Sequence, residues 1–402
     1  MNNIPPFDLT RQYELIGAEI GAAVLGVLAS GRYIGGSPVQ NFEQQFASYI
    51  GVSECVSCNS GTDALYMALR ALNIGAGDEV ITTPFTFIAT AEVISHIGAT
   101  PVFVDIDRDT FNLDLAQLES AITPQTRAII PVHLFGQPVD MTRLMTIARA
   151  HNLIVIEDCA QATGAEWAEQ KVGSIGQIGC FSFFPTKNLG ACGDGGALTT
   201  NDPTIAAQVR TLREHGMRAR YIHEETGINS RLDAIQATIL QIKLRHLDTW
   251  NAQRRAIADR YRQLLTSLPG VISPKELSGS YSVWNQYTTR IPSSTNSGTS
   301  ASFSAPSLEI LGNNHHNYRD WVRSQLQARG VSSMVYYPLP LHLQPVYQGL
   351  GYRRGQFPIA EQVCQEVLSL PMFPELLPEQ QEQIVHHLKD CLVQEVVASR
   401  EG

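Results

Sequence analysis

Positive charge is scarce in this sequence. Its 29 lysines and arginines are outnumbered by 38 aspartates and glutamates, and the formal net charge is −9. Nucleic acids and anionic membrane surfaces attract proteins through clusters of basic side chains. We therefore expect neither a nucleic-acid partner nor a membrane partner, and chemistry on small molecules fits this composition better.

Cysteines and long apolar runs are also few. The seven cysteines are scattered over 402 residues without the density of a disulfide framework, so we expect them to be reduced. Cys55 and Cys58 form a C-x-x-C pair, but no second pair stands at zinc-site spacing, and no metal is predicted. No stretch approaches 18 uninterrupted apolar residues, about the length of a membrane span, and the first residues do not resemble a signal peptide. These absences predict a cytoplasmic protein.

Short apolar runs alternate with helical patterns through the first part of the chain. The predicted strands cover residues 55–58, 79–82, 100–104, 128–132, 153–156, 179–183 and 196–199, after predicted helices at 11–29 and 38–50. Alternation of strands and helices is typical of a mostly parallel sheet with helices on both faces. We expect an α/β domain of this kind over residues 1–250.

A smaller α/β domain is expected over residues 251–402. Apolar residues keep helical spacing from residue 231 to about 268, which predicts one long helix leading into this domain. A strand at 284–291 and a helix at 318–329 follow. The polar, low-complexity stretch 292–314 between them predicts a flexible surface insertion.

Two charged residues stand in positions that favour catalysis. Asp158 closely follows the predicted strand 153–156, and the carboxyl ends of parallel strands form the edge where open α/β sheets bind ligands. Lys187 ends the aromatic run 181–187 (FSFFPTK), and a lysine among apolar neighbours can form a Schiff base. Pyridoxal phosphate (PLP) requires this pair, because the carboxylate keeps the ring nitrogen protonated while the lysine holds the aldehyde. Taken singly, each residue type is also common on solvated surfaces.

Four motifs carry a resemblance to a known family. They are residues 60–65 (SGTDAL), 157–162 (EDCAQA), 181–190 (FSFFPTKNLG) and 227–233 (GINSRLD). In this order they resemble the PLP-dependent sugar-nucleotide aminotransferases of the DegT/StrS type. The resemblance implies the fold-type I architecture, with a mixed, mainly parallel seven-stranded sheet between helices and a smaller C-terminal α/β domain. It also implies a homodimer with shared active sites.

The resemblance assigns several residues to the cofactor phosphate. Gly61 and Thr62 begin a predicted helix, and a helix N-terminus is suited to phosphate. Residues of this kind are equally typical of an ordinary helix N-cap. By resemblance, Ser182 is a further phosphate ligand, and Asn229 reaches the same phosphate from the other subunit.

Other residues are assigned by resemblance to the cofactor ring and to the substrate. Phe87 matches the aromatic residue that stacks on the ring, and Gln161 is placed to bond the ring hydroxyl. Arg231 is a planar donor suited to a carboxylate, although a salt bridge at the start of the long helix is an alternative. The substrate-side residues implied by the family pattern are Tyr336, Tyr337, His342 and His215, of which the two tyrosines and His342 lie in an aromatic and proline-rich segment that is also compatible with ordinary packing.

The implied reaction is transamination. Lys187 carries PLP, glutamate is the amino donor, and the acceptor is a ketone on a nucleotide-linked sugar, for amino-sugar and surface polysaccharide biosynthesis. The NSRLD run and the Tyr336-Tyr337-Pro338 segment resemble the members that aminate the 3-position. A 4-keto acceptor is the first alternative, and a catalytically idle regulatory or sugar-nucleotide-binding relative is the second.

Overall fold

Seven strands form the central sheet in the computed structural model, which describes residues 3–292 and 317–398. The strands are β1 Glu54–Cys58, β2 Glu79–Thr82, β3 Thr100–Phe103, β4 Thr126–Ile129, β5 Ile154–Asp158, β8 Ile178–Ser182 and β9 Gly196–Thr200. Their order in the sheet is β1-β9-β8-β5-β4-β2-β3. Strand β9 runs antiparallel to both of its neighbours, and the other neighbouring pairs are parallel. The predicted mixed, mainly parallel sheet is confirmed.

Short strands outside this sheet form three small sheets. These strands are β6 Glu166–Trp167, β7 Gln170–Lys171, β10 Met217–Ala219, β11 Ile222–His223, β12 Ser280–Tyr281, β13 Tyr287–Arg290 and β14 Val367–Leu370. The α-helices are α1 Thr10–Ser30, α2 Ser37–Ile50, α3 Gly61–Ala71, α4 Ala89–His96, α5 Met141–Ala150, α6 Pro203–Arg213, α7 Ala234–Leu244, α8 Leu247–Leu265, α9 Tyr318–Ala328, α10 Pro358–Glu366 and α11 Pro378–Ala398.

The two faces of the central sheet are covered by different helices. On one face, the rings of Phe42 and Phe46 from α2 meet the rings of Phe181 and Phe183, with centroids 5.0 to 5.4 Å apart in edge-on contacts. On the other face, α3 and α6 pack in one apolar cluster with β1, β8 and β9. Edge-to-face aromatic pairs and buried aliphatic side chains stabilise this layered arrangement. The sheet thereby becomes a rigid support for the loops at the ends of its strands.

The C-terminal part of the chain has its own apolar cluster. The antiparallel pair β13–β14 packs with α8, α9 and α11 around fully buried Tyr261 and Tyr287, whose rings lie 4.9 Å apart. This arrangement has the mixed helix and strand content expected of a smaller domain. The boundary at residue 250 stays a prediction. Of the predicted insertion 292–314, the part from residue 293 onward lies outside the described residues.

The single long helix predicted over residues 231–268 is wrong. Two helices, α7 and α8, occupy the region, and Arg245 and His246 separate them. Each helix buries a different face: Ile239 of α7 packs with α1, whereas Ile257 of α8 packs in the C-terminal cluster. Neither glycine nor proline marks the break, so the apolar spacing continues across it.

Helix α1 is, within the described residues, the one helix long and apolar enough to cross a membrane by length and composition. One such helix near the N-terminus is weak evidence for a span, because a helix that packs inside a protein can pass the same test. Ile16 and Ile20 of α1 pack against Ile239 and Ile242 of α7. The opposite side of α1 exposes large apolar side chains, among them Leu15 with 72% of its surface accessible.

Candidate active site

A cavity of about 460 Å³ lies at the carboxyl ends of β5 and β8. This edge of the sheet is where open α/β folds bind ligands. The structure brings nine of the predicted site residues to the cavity wall: Gly61, Thr62, Phe87, Asp158, Gln161, Ser182, Lys187, Tyr336 and Tyr337. Residues from distant parts of the chain therefore meet where the sequence predicts a ligand site.

Asp158 is the last residue of β5 and is almost completely buried. Its carboxylate accepts hydrogen bonds from Thr90 Oγ1 at 2.9 Å and from the Ala160 N–H at 3.1 Å. Burial raises the pKa of Asp158, and the bonds from Ala160 and Thr90, with the charge of Lys187, act against that rise. A buried carboxylate of this kind is stabilised when a cationic group is placed against it.

Lys187 lies in the loop between β8 and β9, and its backbone N–H donates to Phe184 O at 2.9 Å. Burial lowers the pKa of Lys187 to about 8, and the negative charge of Asp158 limits the fall. The neutral amine is therefore far more accessible near neutral pH than in an ordinary lysine. A neutral amine is the form that attacks a carbonyl carbon and the form that accepts a proton.

The first turn of α3 forms another wall of the cavity. Ser60 caps the helix by accepting a hydrogen bond from the Asp63 N–H at 3.1 Å, so the ordinary N-cap interpretation holds for Ser60. Gly61 and Thr62 begin the helix, where backbone N–H groups lack intrahelical acceptors and attract anions. A Cβ on Gly61 would lie 2.8 Å from the Ser182 Cβ, so only glycine permits the close approach of α3 to β8.

Phe87 is an exposed aromatic side chain on the cavity wall. It keeps 58% of its surface accessible, although it is large and apolar. The exposed ring is therefore available to a ligand in the cavity. A planar ring system would stack well on it.

Three predicted residues lie on the surface away from the cavity wall. Asn229 and His215 are exposed, and Arg231 is half-buried. Asn229 pairs with Glu214 in an isolated antiparallel bridge, and the Arg231 guanidinium lies 3.4 Å from the Glu214 carboxylate. The salt bridge considered as the alternative for Arg231 is thus present in this chain. The three residues form one surface cluster with Glu214, and no residue of this cluster lines the cavity.

His342 is also not brought to the cavity. It is buried, its Nε2 lies 3.0 Å from Glu361 Oε1, and its ring packs edge-on against Phe357 with centroids 4.7 Å apart. Burial lowers the pKa of His342, with the Glu361 hydrogen bond acting in the opposite direction. In the described chain this histidine belongs to the packing of the segment around α10.

Comparison with known proteins decides the family. The model of the DegT/DnrJ/EryC1/StrS aminotransferase family matches residues 14–389. The chain belongs to this family. The DegT/StrS aminotransferases are PLP-dependent. A solved structure described as a putative sugar aminotransferase of Streptococcus pneumoniae in its PMP form is similar to this chain, with a TM-score of 0.85 at 26% identity over 100% of this chain and 99% of that chain.

Individual DegT/StrS relatives are similar over almost their whole length. A "pleiotropic regulatory protein" of Geobacillus stearothermophilus is 47% identical over 96% of this chain and 98% of its own. The dTDP-3-amino-3,4,6-trideoxy-alpha-D-glucose transaminase of Streptomyces venezuelae is 43% identical over 93% of this chain and 92% of its own. The solved structure of S. venezuelae DesV superimposes with a TM-score of 0.89 at 42% identity, covering 97% of this chain and 98% of that chain.

The residues of the cavity fit the cofactor of the DegT/StrS family. Lys187 offers an amine for an aldehyde, and Asp158 offers a buried carboxylate for a protonated ring nitrogen. Phe87 offers an exposed face for the ring, while the start of α3 and Ser182 offer donors for the phosphate. All of these groups line the same cavity, so one bound cofactor can contact them together.

Sequence reasoning missed some residues of this DegT/StrS site. Thr90 holds the Asp158 carboxylate, and Phe184, with 50% of its surface exposed, and Gln286 line the cavity. Thr90 and Phe184 stand within a few residues of Phe87 and Lys187 in the sequence, but their neighbours in space come from other elements. Only the fold shows which of them face the cavity.

Proposed function

We propose that this protein transfers an amino group from glutamate, through PLP, to the 3-keto group of a nucleotide-linked sugar. The observation that carries the proposal is the meeting of the Lys187 amine, with its lowered pKa, and the buried Asp158 carboxylate in one cavity. The 3-position is supported by the name of the S. venezuelae relative, a transaminase of a 3-amino sugar.

The chain's own residues then have distinct roles. PLP, when bound, supplies an electron sink for the carbon that carries the amino group. Lys187 holds the cofactor and afterwards moves a proton between the amino-bearing carbon and the cofactor, because its lowered pKa of about 8 makes the neutral, proton-accepting amine accessible. Asp158 holds a proton on the ring nitrogen. Phe87 stacks on the ring, and Gln161 bonds the ring hydroxyl.

The phosphate is held by Gly61 and Thr62 at the start of α3 and by Ser182 at the end of β8. Backbone N–H groups at this helix N-terminus stabilise the phosphate charge without needing a cationic side chain. The contact between Gly61 and Ser182 keeps these donors close together. This end of the cavity is therefore shaped for an anion.

The protein acts as a homodimer with shared active sites. Asn229 lies on the surface beside Glu214 and reaches the cofactor phosphate in the partner subunit, where Arg231 and His215 also approach the substrate. The exposed apolar side chains of α1 support a subunit contact, since Tyr13 and Leu15 have 65% and 72% of their surface accessible. Burying them between two copies would stabilise the dimer.

A regulatory protein is the second candidate function, and the name of the G. stearothermophilus relative favours it. A purely regulatory role does not require a Lys187 amine of lowered pKa beside a buried carboxylate. We propose a cytoplasmic location for either, because all seven cysteines, which lie within the described residues, are free thiols.

The test is amino transfer by the purified protein. The chain is loaded with PLP and incubated with glutamate and a panel of UDP- and dTDP-linked 3-keto and 4-keto sugars. We expect 2-oxoglutarate to form with 3-keto sugars, NMR of the product to place nitrogen at carbon 3, and Lys187→Ala to abolish both. Product aminated at carbon 4 would overturn the regiochemistry, and no conversion of any keto sugar would overturn the proposed function.

A further inference from the structure

The lysine turn, which carries Lys187 over residues 183–191, is closed by contacts of its own backbone. The N–H of its last residue donates to the carbonyl oxygen of its first residue at 2.8 Å. A Cβ on Gly190 would overlap the Pro185 carbonyl group, so only glycine permits the backbone to fold back this closely. These contacts fix the shape of the turn, but other groups must hold it against the rest of the protein.

Asn188 attaches the lysine turn to two other segments. Its side chain is buried, and its Nδ2 donates to Val283 O at 2.9 Å and to Asn251 Oδ1 at 2.7 Å. A backbone carbonyl can only accept a hydrogen bond, so the amide nitrogen of Asn188 must face Val283. The amide oxygen of Asn188 therefore lies on the other side of the group, where it can accept a hydrogen bond.

Two further buried asparagines complete a directed network. Asn285 Nδ2 donates to Asn188 Oδ1 at 2.8 Å, and it also lies 3.4 Å from Thr186 O. Asn251 Nδ2 donates to Thr163 O at 3.1 Å, in the segment that follows β5. Asn188, Asn251 and Asn285 thus form an asparagine network that joins the lysine turn to the segment after β5, to α8 and to the segment before β13.

The position of the Lys187 amine decides its chemistry. Burial lowers the pKa of Lys187, and the negative charge of Asp158 acts in the opposite direction. Both effects weaken when the amine moves into water, and the pKa then returns towards that of an ordinary lysine. The asparagine network consists of uncharged amides, so it holds the lysine turn without adding a charge beside the amine.

We propose that Asn188 is a positioning residue that keeps the Lys187 amine buried and beside Asp158. The described wall of the cavity does not include the Asn188 side chain, so this residue acts through the lysine turn and not by contact with cofactor or substrate. This inference rests on the proposed function, in which Lys187 holds the cofactor. Asn285 contributes from the C-terminal part of the chain, because its amide binds the amide oxygen of Asn188.

The test follows the reaction of Lys187 with a small aldehyde in the full-length, cofactor-free protein. Borohydride reduction at intervals traps the adduct, and peptide mass spectrometry measures it at Lys187 alone. The dependence of the rate on pH then gives the midpoint at which half of the amine is neutral. We expect a midpoint at about pH 8 for the wild-type protein, as the lowered pKa of Lys187 requires.

The first variant is Asn188→Leu, which keeps the approximate volume of the side chain and removes its hydrogen bonds. The lysine turn then loses its bonds to Val283 and Asn251, so the amine becomes more exposed to water. We expect the midpoint at Lys187 to rise by about one pH unit or more, towards the value of an ordinary lysine. In the PLP-loaded protein, the rate of the glutamate half-reaction should fall about tenfold, because the lysine is displaced.

The matched control is Gln381→Met. Gln381 is also a buried amide, and its Nε2 donates to Ile257 O at 2.9 Å in the C-terminal apolar cluster. This variant loses an internal hydrogen bond of the same kind outside the lysine turn. Denaturant unfolding should show a loss of stability for both variants, whereas the aldehyde midpoint should change only for Asn188→Leu. Equal changes of the midpoint in both variants would show a general loosening of the fold and overturn the inference.

Asn285→Ala is a milder second variant, which tests the asparagine network if Asn188→Leu does not fold. It removes the donor to Asn188 Oδ1 and leaves the bonds from Asn188 to Val283 and Asn251 in place. We expect a smaller rise of the midpoint, and we expect the double variant to show no larger rise than Asn188→Leu alone. Additive shifts would contradict a joint action of Asn188 and Asn285.

The outcomes separate this inference from the proposed function. Folded Asn188→Leu and Asn285→Ala proteins whose midpoints stay at about pH 8 would overturn the role of Asn188, even where the wild-type protein aminates a sugar. The aldehyde reaction involves neither glutamate nor a sugar. Wild-type protein that aminates no keto sugar would therefore overturn the proposed function, while the midpoints still decide whether Asn188 positions the lysine.

Discussion

Replacing Asp158 with asparagine tests the centre of the proposed site. The change keeps the size of the side chain and removes its charge. Asp158 accepts from Thr90 Oγ1 at 2.9 Å and from the Ala160 N–H at 3.1 Å, and an asparagine offers only one acceptor oxygen. One of these two donors therefore loses its partner.

The magnitudes of the structural and the chemical effect differ. Thr90 Oγ1 also lies 3.2 Å from Thr86 Oγ1 and can turn to it, so the loss of one hydrogen bond should lower the free energy of unfolding by only about 1 kcal/mol. Loss of the charge that holds the ring-nitrogen proton should slow the reaction with glutamate about a hundredfold, which corresponds to about 2.7 kcal/mol. In free-energy terms, the loss of rate should thus be larger than the loss of stability.

The assay pairs single-turnover kinetics with glutamate and denaturant unfolding of the same preparation. Thr90→Val serves as a control, because it removes a donor to Asp158 but leaves the carboxylate in place, and we expect a loss of about tenfold or less. Asp158→Asn protein that turns over at a near-normal rate, with the cofactor bound, would refute the assignment of Asp158 to the ring nitrogen.

Three further predictions concern other parts of the site. The lowered pKa of Lys187 predicts that the cofactor-free chain reacts with an aldehyde faster as the pH rises, with a midpoint at about pH 8, because the neutral amine is the reactive form. Asp158→Asn should move this midpoint to lower pH, since it removes the negative charge that raises the pKa of Lys187. A midpoint near the pKa of an ordinary lysine would contradict the argument that burial lowers the pKa. Gly61→Ala should weaken cofactor retention and lower the free energy of unfolding by about 1 to 3 kcal/mol, since the new Cβ would lie 2.8 Å from Ser182 Cβ. Dialysis measures the retention and denaturant unfolding measures the stability. Unchanged retention would show that the contact between Gly61 and Ser182 does not shape the phosphate site. Mixing Lys187→Ala with Asn229→Ala protein, each severely impaired alone, should restore part of the activity after subunit exchange, because one site of each mixed dimer has both residues intact; confirmed exchange without any recovery would rule against a shared site.

Much of the fold can be predicted because the pattern of apolar residues is local. This pattern predicts the seven strands of the central sheet to within a few residues, and likewise the helices α1, α2 and α9. It does not predict the break at Arg245 and His246, because the apolar spacing continues across the break although Ile239 of α7 and Ile257 of α8 belong to different apolar clusters. The spacing of apolar residues shows that one face of a helix is buried, but it does not show which element packs against that face.

The candidate site shows the same division. Asp158 follows a predicted strand and Lys187 ends an aromatic run, so both residues are predicted to belong to one site. Both line the cavity. The partners of Gln161 are not predictable in this way, because Phe135 and Tyr337 adopt left-handed backbone conformations that no local signal announces. The proposed role of Asn229 depends on a second chain, which a single sequence motif cannot show directly.

The position of β1 at the edge of the sheet has a consequence for the order of events during synthesis. Its partner in the sheet is β9, with Cys58 opposite Gly196, so β1 leaves the ribosome long before it can be paired. A Cβ on Gly196 would lie 2.4 Å from the Ser60 carbonyl carbon, which shows how tightly the start of β9 closes against the turn leading into α3. The nascent chain therefore cannot complete its anion-binding end until β9 has emerged, and pairing between such distant segments is intrinsically slow. Capture of the cofactor is then a late event that follows translation of the whole sheet.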